Sequence, residues 1–183
     1  MRQFLFFVFQ AVYTILANII DDGFANKISV DSVIAYGSFI PIIWTFQSVY
    51  NIGKYAYANT QKEEKTCLFL GFIASIFILI IGLPIYRVIH YIYNLTDVQI
   101  DLFNNLVLCY LFTMPLRQIG DYLNMYLMYQ FKNKMVFIAD IIYWIIALAL
   151  DVLVYINGYP VYFLVITTGI AYLIYDIVLL HQS

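Results

Sequence analysis

The segment between Lys65 and Arg87 contains no charged side chain in 21 residues. A helix of about 20 apolar residues is long enough to cross the hydrocarbon core of a bilayer. Across the whole chain, 64% of residues are hydrophobic and 11% are charged, whereas soluble domains carry about 25% charged residues. A chain with so few charges could not cover a water-facing surface, so the sequence predicts an integral membrane protein.

Five further segments have the same apolar character. The sequence therefore predicts an all-α, polytopic membrane protein with six transmembrane helices in one domain over residues 1–183. The expected spans are 4–27, 31–54, 66–87, 101–130, 135–157 and 159–180. Short polar segments join them, and the prolines inside them are compatible with membrane helices.

The distribution of Lys and Arg predicts the orientation. Only Lys27 and Arg87 fall on one side of the predicted bundle, and Arg117 lies within the fourth span. The remaining basic residues fall on the other side: Arg2, Lys54, Lys62, Lys65, Lys132 and Lys134. Basic loops stay in the cytoplasm. We therefore expect a multi-pass protein of the cell (plasma or inner) membrane with both termini cytoplasmic.

Motifs for enzymatic chemistry are missing from the sequence. Cys67 and Cys109 both lie in apolar segments and are typical of small buried side chains. His90 and His181 have no ligand-like spacing, and no phosphate-binding glycine loop or nucleophile motif occurs. We expect no enzyme, no metal site and no nucleic-acid partner.

Polar side chains recur at helical spacing within four of the predicted spans. An ionisable group in mid-membrane costs about 2.5–3.5 kcal/mol on insertion scales, so such residues usually mark function. The candidates for lining a substrate cavity or coupling site are Gln10, Thr14 and Asp21 in the first span, Gln47 and Asn51 in the second, Arg117, Asp121 and Asn124 in the fourth, and Asp140, Trp144 and Asp151 in the fifth.

Structural roles compete with these functional ones. Asp21 is close enough to a helix end to be solvated, and Asp176 lies one turn from the cytoplasmic end, where an interfacial position is expected. Arg117 and Asp121 have the i,i+4 spacing of an ion pair. Asp151 is different, because the segment WIIALALDVLVYI around it has no basic residue. A buried carboxyl without a cation favours its protonated form, so Asp151 is a candidate proton site.

The segment NIIDDGFANK resembles the first-helix motif of multidrug and toxic compound extrusion (MATE) transporters, with Asn18, Asp21, Phe24 and Lys27 at the matching positions. Further segments are similar to later parts of that family, which belongs to the wider MOP flippase superfamily. They are VIAYGSFIPI in the second span, the loop ANTQKEEKT, TMPLRQIGDYLNMYL in the fourth span, the loop FKNKM and ALALDVLVY in the fifth span.

The resemblance implies a function and two site residues. Family members have two six-helix lobes, and this chain resembles the first lobe alone. Asp21 and Asp151 match the carboxylates of that lobe implicated in proton or cation coupling, whereas Ala147 stands where the family has Asn.

A single lobe with these polar faces needs a partner, because the faces cannot stay in lipid. We therefore expect a homodimer that exports an amphipathic or cationic organic molecule, with H⁺ or Na⁺ as coupling ion and no other cofactor. Two alternatives are open: a non-transporting or accessory subunit that pairs with another half-lobe, and half of a lipid-linked sugar flippase. Arg117 is the one basic residue within the spans that could serve the phosphates of such a lipid.

Overall fold

The computed structural model describes residues 23–41 and 92–182, together with the isolated positions 12, 19, 43, 69, 73, 76, 77, 80 and 81. Within this described part the regular structure is all helical and contains no β-strand, as the sequence predicts. Three helices have defined bounds: α1 is Asp97–Tyr129, α2 is Asn133–Ile156 and α3 is Phe163–Gln182. They correspond to the fourth, fifth and sixth predicted spans.

A capping box starts α1. The Thr96 hydroxyl accepts a hydrogen bond from the backbone N–H of Gln99 (3.4 Å), and the Gln99 side-chain oxygen accepts one from the N–H of Thr96 (3.1 Å). The box satisfies two N–H groups that a first helical turn leaves without partners. α1 begins at Asp97, one turn before the predicted start at residue 101. The sequence pattern favours a loop for the polar residues after Leu95, whereas the capping box brings them into the helix.

The end of α1 has the Schellman geometry. The N–H of Phe131 donates to the carbonyl of Met128 (3.1 Å), and the N–H of Lys132 donates to the carbonyl of Leu127 (2.9 Å). This arrangement places Phe131 in the left-handed region at φ 60°, a position that glycine usually occupies. A large aromatic residue there is a genuine outlier, and its side chain is 86% exposed.

The end of α2 repeats this motif with the usual residue. The N–H of Gly158 donates to Tyr155 and the N–H of Tyr159 to Val154, both at 3.1 Å. Gly158 has φ 65°, which costs a residue without a Cβ little. The chain reverses here and begins α3 at Phe163.

Residues 23–28 and 30–41 are helical, with a break at Ser29. The Ser29 hydroxyl oxygen accepts a hydrogen bond from the N–H of Ser32 (3.0 Å) and so caps the second of these pieces. The next residue but one, Asp31, accepts a hydrogen bond from the Gln99 side-chain amide at 2.8 Å. Asp31 begins the second predicted span, and this bond ties the start of that helix to the first turn of α1.

α1 and α3 run parallel and approach closely at two glycines. A Cβ atom on Gly169 of α3 would overlap the side chain of Thr113 on α1, and a Cβ on Gly120 of α1 would overlap the carboxyl of Asp176 on α3. These two contacts are one heptad apart on each helix. Small residues allow membrane helices to pack at short distance, so the glycines set the spacing of α1 and α3.

Two apolar clusters fill the described part of the bundle. One joins residues 25–43 to the first half of α1, the end of α2 and the start of α3, with Phe39, Phe103 and Met114 fully buried. The other joins the second half of α1, the first half of α2 and the second half of α3 around Leu127 and Leu179. Cys109, predicted to be a small buried side chain, is a free thiol that is half-buried against the first cluster; Cys67 lies outside the described residues.

Two described helices, Asn133–Ile156 and Phe163–His181, are long and apolar enough to cross a membrane by length and composition. α1, which corresponds to the fourth predicted span, is not one of these two helices. Most of the first and third predicted spans and half of the second lie outside the described residues, so the count of six spans and the positions of the termini stay predictions. The described isolated positions in those spans are helical.

We predict that Phe131→Gly stabilises the protein by about 1 kcal/mol, because glycine removes the cost of holding a bulky residue at positive φ. The free energy of unfolding in detergent measures the effect. Gly158→Ala is the matched control at the equivalent position, and it should lower stability by a similar amount. Loss of stability in Phe131→Gly would instead indicate that the aromatic side chain contributes more than its backbone costs.

Candidate functional site

The predicted site residues divide into two groups. Gln10, Thr14, Asp21, Gln47 and Asn51 lie outside the described residues. The remaining six lie on two neighbouring helices: Arg117, Asp121 and Asn124 on α1, and Asp140, Trp144 and Asp151 on α2. The structure brings five of these six into one polar region and places Asp151 at the other end of the bundle.

Asp151 is buried between α2 and α3. Its carboxyl is 5% exposed and accepts a hydrogen bond from the hydroxyl of Thr167 on α3. It lies five residues before the end of α2, about 8 Å along the helix axis. Ala147, one turn earlier, is buried on the same face. The predicted stripe through Ala147 and Asp151 therefore faces the neighbouring helix.

The Thr167 hydroxyl has two acceptors within reach, the Asp151 carboxyl and the backbone carbonyl of Leu164 at 2.8 Å. A threonine hydroxyl has a single hydrogen to donate. When Asp151 is ionised, that hydrogen can serve the carboxylate. When Asp151 carries a proton, it can donate to the Thr167 oxygen while Thr167 donates to Leu164. The pair accommodates both protonation states without moving the backbone.

Arg117 is held between two aromatic rings. Its guanidinium carbon lies 5.0 Å from the ring centroid of Tyr110 and 5.3 Å from that of Tyr172. Such cation–π contacts gain strength where water is excluded. Its buried Nε makes no hydrogen bond with the described residues, nor does the Tyr110 hydroxyl. The arginine therefore joins α1 to α3 through its contact with the Tyr172 ring.

A hydrogen-bonded chain crosses the bundle near this arginine. The Asn124 amide on α1 donates to the Tyr175 hydroxyl on α3 at 2.5 Å. The same hydroxyl faces the carboxyl of Asp140 on α2, to which it can donate. Three helices are therefore linked by polar contacts in a region that the sequence assigned to separate helix faces.

Trp144 belongs to an aromatic wall between α2 and α3. Its ring makes an edge contact with Tyr143, with centroids 4.9 Å apart at 79°. Tyr143 in turn contacts Tyr172 at 4.8 Å and Tyr175 at 5.8 Å. This packing gives Trp144 a structural role in positioning the tyrosines that contact Arg117 and Asp140.

Sequence reasoning did not reveal the burial of Asp176. The sequence predicts a position near the cytoplasmic interface, one turn before the end of the sixth span, and in the structure the residue is 4% exposed. It fits against Gly120, where any side chain would collide with its carboxyl. Asp121 interacts electrostatically with both Asp176 and Asp140. The space for this carboxyl is left by a glycine on a different helix, α1. The sequence of α3 alone could therefore not have revealed the burial of Asp176.

The described part of the chain therefore has acidic groups at two depths. Asp140 and Asp151 are eleven residues apart on α2, a separation of about 16 Å along the axis. Thr167 is hydrogen-bonded to Asp151, which is the one nearer the α2–α3 turn. Arg117, Asn124 and Tyr175 lie in the region of Asp140.

No protein-family model, curated protein or solved structure matches this chain.

We predict that Thr167→Val lowers the free energy of unfolding by about 1–3 kcal/mol, because it removes a hydrogen-bond donor from a buried carboxyl. Thr168→Val is the matched control, since the Thr168 hydroxyl donates only to the Leu164 carbonyl at 2.7 Å. Unfolding in detergent should separate the two variants. Equal losses in both would show that the Asp151 contact contributes nothing beyond the backbone bond.

Proposed function

We propose that this chain is one lobe of a proton-coupled secondary transporter in the cell membrane, and that two copies complete it. The proposed cargo is an amphipathic or cationic organic molecule, moved outward by alternating access. Asp21 and Asp151 are the proposed coupling carboxylates, and both termini are cytoplasmic. The resemblance to a MATE lobe and the chemistry of the buried carboxyl at Asp151 support this proposal.

The observation that carries the proposal is the contact between Asp151 and Thr167. A coupling carboxyl has to be stable with and without its proton, because it releases the proton on one side of the membrane and takes one up on the other. A purely apolar pocket would hold the carboxyl in its neutral form. The Thr167 hydroxyl offers a donor to the ionised carboxylate and an acceptor to the protonated carboxyl. It therefore reduces the free-energy difference between these two protonation states.

A location in the membrane is supported by the outward faces of α2 and α3. These faces carry large apolar side chains that the described bundle leaves exposed. They are Ile138, Ile141, Ile145, Leu148 and Leu153 on α2, and Ile170, Leu173, Ile177 and Leu180 on α3. Contiguous apolar surface of this kind is rare on soluble monomers and matches the acyl chains of lipid.

A homodimer is supported by the number of lobes that such a transporter requires. With six spans both termini share one side, so two copies can stand parallel around an axis along the membrane normal. Fused transporter halves are related by the same kind of axis, and two-fold homodimers are the commonest oligomers. The cavity would then form between the polar faces of two identical lobes.

We predict that Asp151→Asn abolishes export driven by a pH gradient, because an amide cannot take up and release a proton. Efflux of a fluorescent lipophilic cation from reconstituted vesicles measures the effect, and the rate should fall to that of protein-free vesicles. Exchange of the same cation at equilibrium should persist, since binding needs no net proton movement.

The control for this experiment is Asp101→Asn, which removes an exposed carboxyl from the start of α1. It should transport at the unmodified rate. Gradient-driven efflux that survives in Asp151→Asn would remove Asp151 from the coupling mechanism.

We also predict that the particle extracted in mild detergent contains two copies of this chain. Native mass measurement gives the stoichiometry directly, and the expected mass is twice the 21.4 kDa of the chain plus bound lipid. A stable monomer, or an obligate complex with a different chain, would contradict the homodimeric exporter and favour the accessory-subunit interpretation.

A further inference from the structure

Asp176 has no role in the function proposed above, yet it is among the most deeply buried ionisable side chains in the described part of the bundle. It is 4% exposed. Neither of its carboxyl oxygens has a hydrogen-bond partner among the described residues. Asp151, at the other depth, has the Thr167 hydroxyl beside it, so the two buried aspartates differ in how an ionised form could be stabilised.

The described residues around Asp176 disfavour a negative charge. On α1, the nearest part of the wall is Gly120, whose missing side chain makes room for the carboxyl, and Asp121 adds electrostatic repulsion. Arg117 is occupied by the rings of Tyr110 and Tyr172.

Among the described residues of α2 and α3, no cation acts on Asp176. α3 itself contributes the ring of Tyr175, which packs beside Gly120. A buried carboxylate without donors or a partner cation is strongly unfavourable, and the group takes a proton instead.

We propose that Asp176 is a second proton-binding site, separate from Asp151, which holds a proton at neutral pH in the conformation described. A proton fits this site because it requires no space. The carboxyl oxygen packs directly on Gly120, at the place where even a methyl group would overlap it. An alkali cation and its ligands would have to push α1 and α3 apart on this side.

Infrared spectroscopy of the purified full-length protein tests the proposal, because the C=O stretch of a protonated carboxyl is resolved from carboxylate bands. At neutral pH, Asp176→Asn should lose one carboxyl equivalent of this band, and labelling aspartate with ¹³C should shift the lost component. Asp101→Asn, which alters an exposed carboxyl, should leave the band intact. An unchanged band in Asp176→Asn at neutral pH would overturn the proposal.

Two additional measurements keep the test decisive. Gly120→Ala should push the Asp176 carboxyl toward water, so that its band disappears at a lower pH than in the unmodified protein. An identical titration would contradict the role of the glycine.

Titration with NaCl at constant pH should leave the band unchanged, and its saturable loss would instead identify a cation site.

The result is independent of transport. Asp151→Asn should retain the component lost in Asp176→Asn, and a protein without any export activity should show it as well. Failure of the proposed transport function is therefore distinguishable from failure of this inference.

Discussion

The hydrogen bond between the Thr167 hydroxyl and the Asp151 carboxyl joins α2 to α3 at a depth where both helices are otherwise apolar. A carboxyl in that position has to find a polar neighbour or remain neutral, so it fixes which face of α2 turns inward. Val154 and Ala147, which share that face, then enter the two apolar clusters. The outward face is left with isoleucine and leucine side chains. Burial of one acidic group thus orients an entire helix.

The spacing of α1 and α3 depends on a second constraint, the absence of side chains at Gly120 and Gly169. Because the two contacts are one heptad apart, the helices stay in register over two turns. The short distance brings the Tyr172 ring to the Arg117 guanidinium and the Tyr175 hydroxyl to the Asn124 amide. The polar region is therefore a consequence of backbone approach, and the side chains that compose it could not meet across larger residues.

The sequence predicted those features that depend on local pattern. The bounds of α1–α3 agree to within four residues with the predicted spans. This is because an apolar run and the polar turn that ends it can both be recognised within one continuous segment of sequence. Burial of Asp151 followed from its apolar surroundings. The burial of Asp176 against α1 does not follow from its position near the end of α3, because distance from a helix end says nothing about cover by a neighbouring helix. The sequence did not predict the αL conformation of Phe131 either, because glycine is the residue that usually indicates a Schellman turn.

The polar contacts of the bundle have a mechanical consequence for alternating access. At one end, Asp31 is bonded to Gln99, and Asp151 to Thr167; at the other, Asn124 is bonded to Tyr175. Sliding α1 along α3 would break the Asn124–Tyr175 bond and drive Thr113 across the surface of Gly169, and sliding α2 along α3 would break the Asp151–Thr167 bond. Packed interfaces of this kind do not deform continuously. In a transporter of the proposed kind, α1–α3 would therefore move as one body. The conformational change would then occur where this body meets its partner lobe, because the contacts within it leave no room for a sliding step.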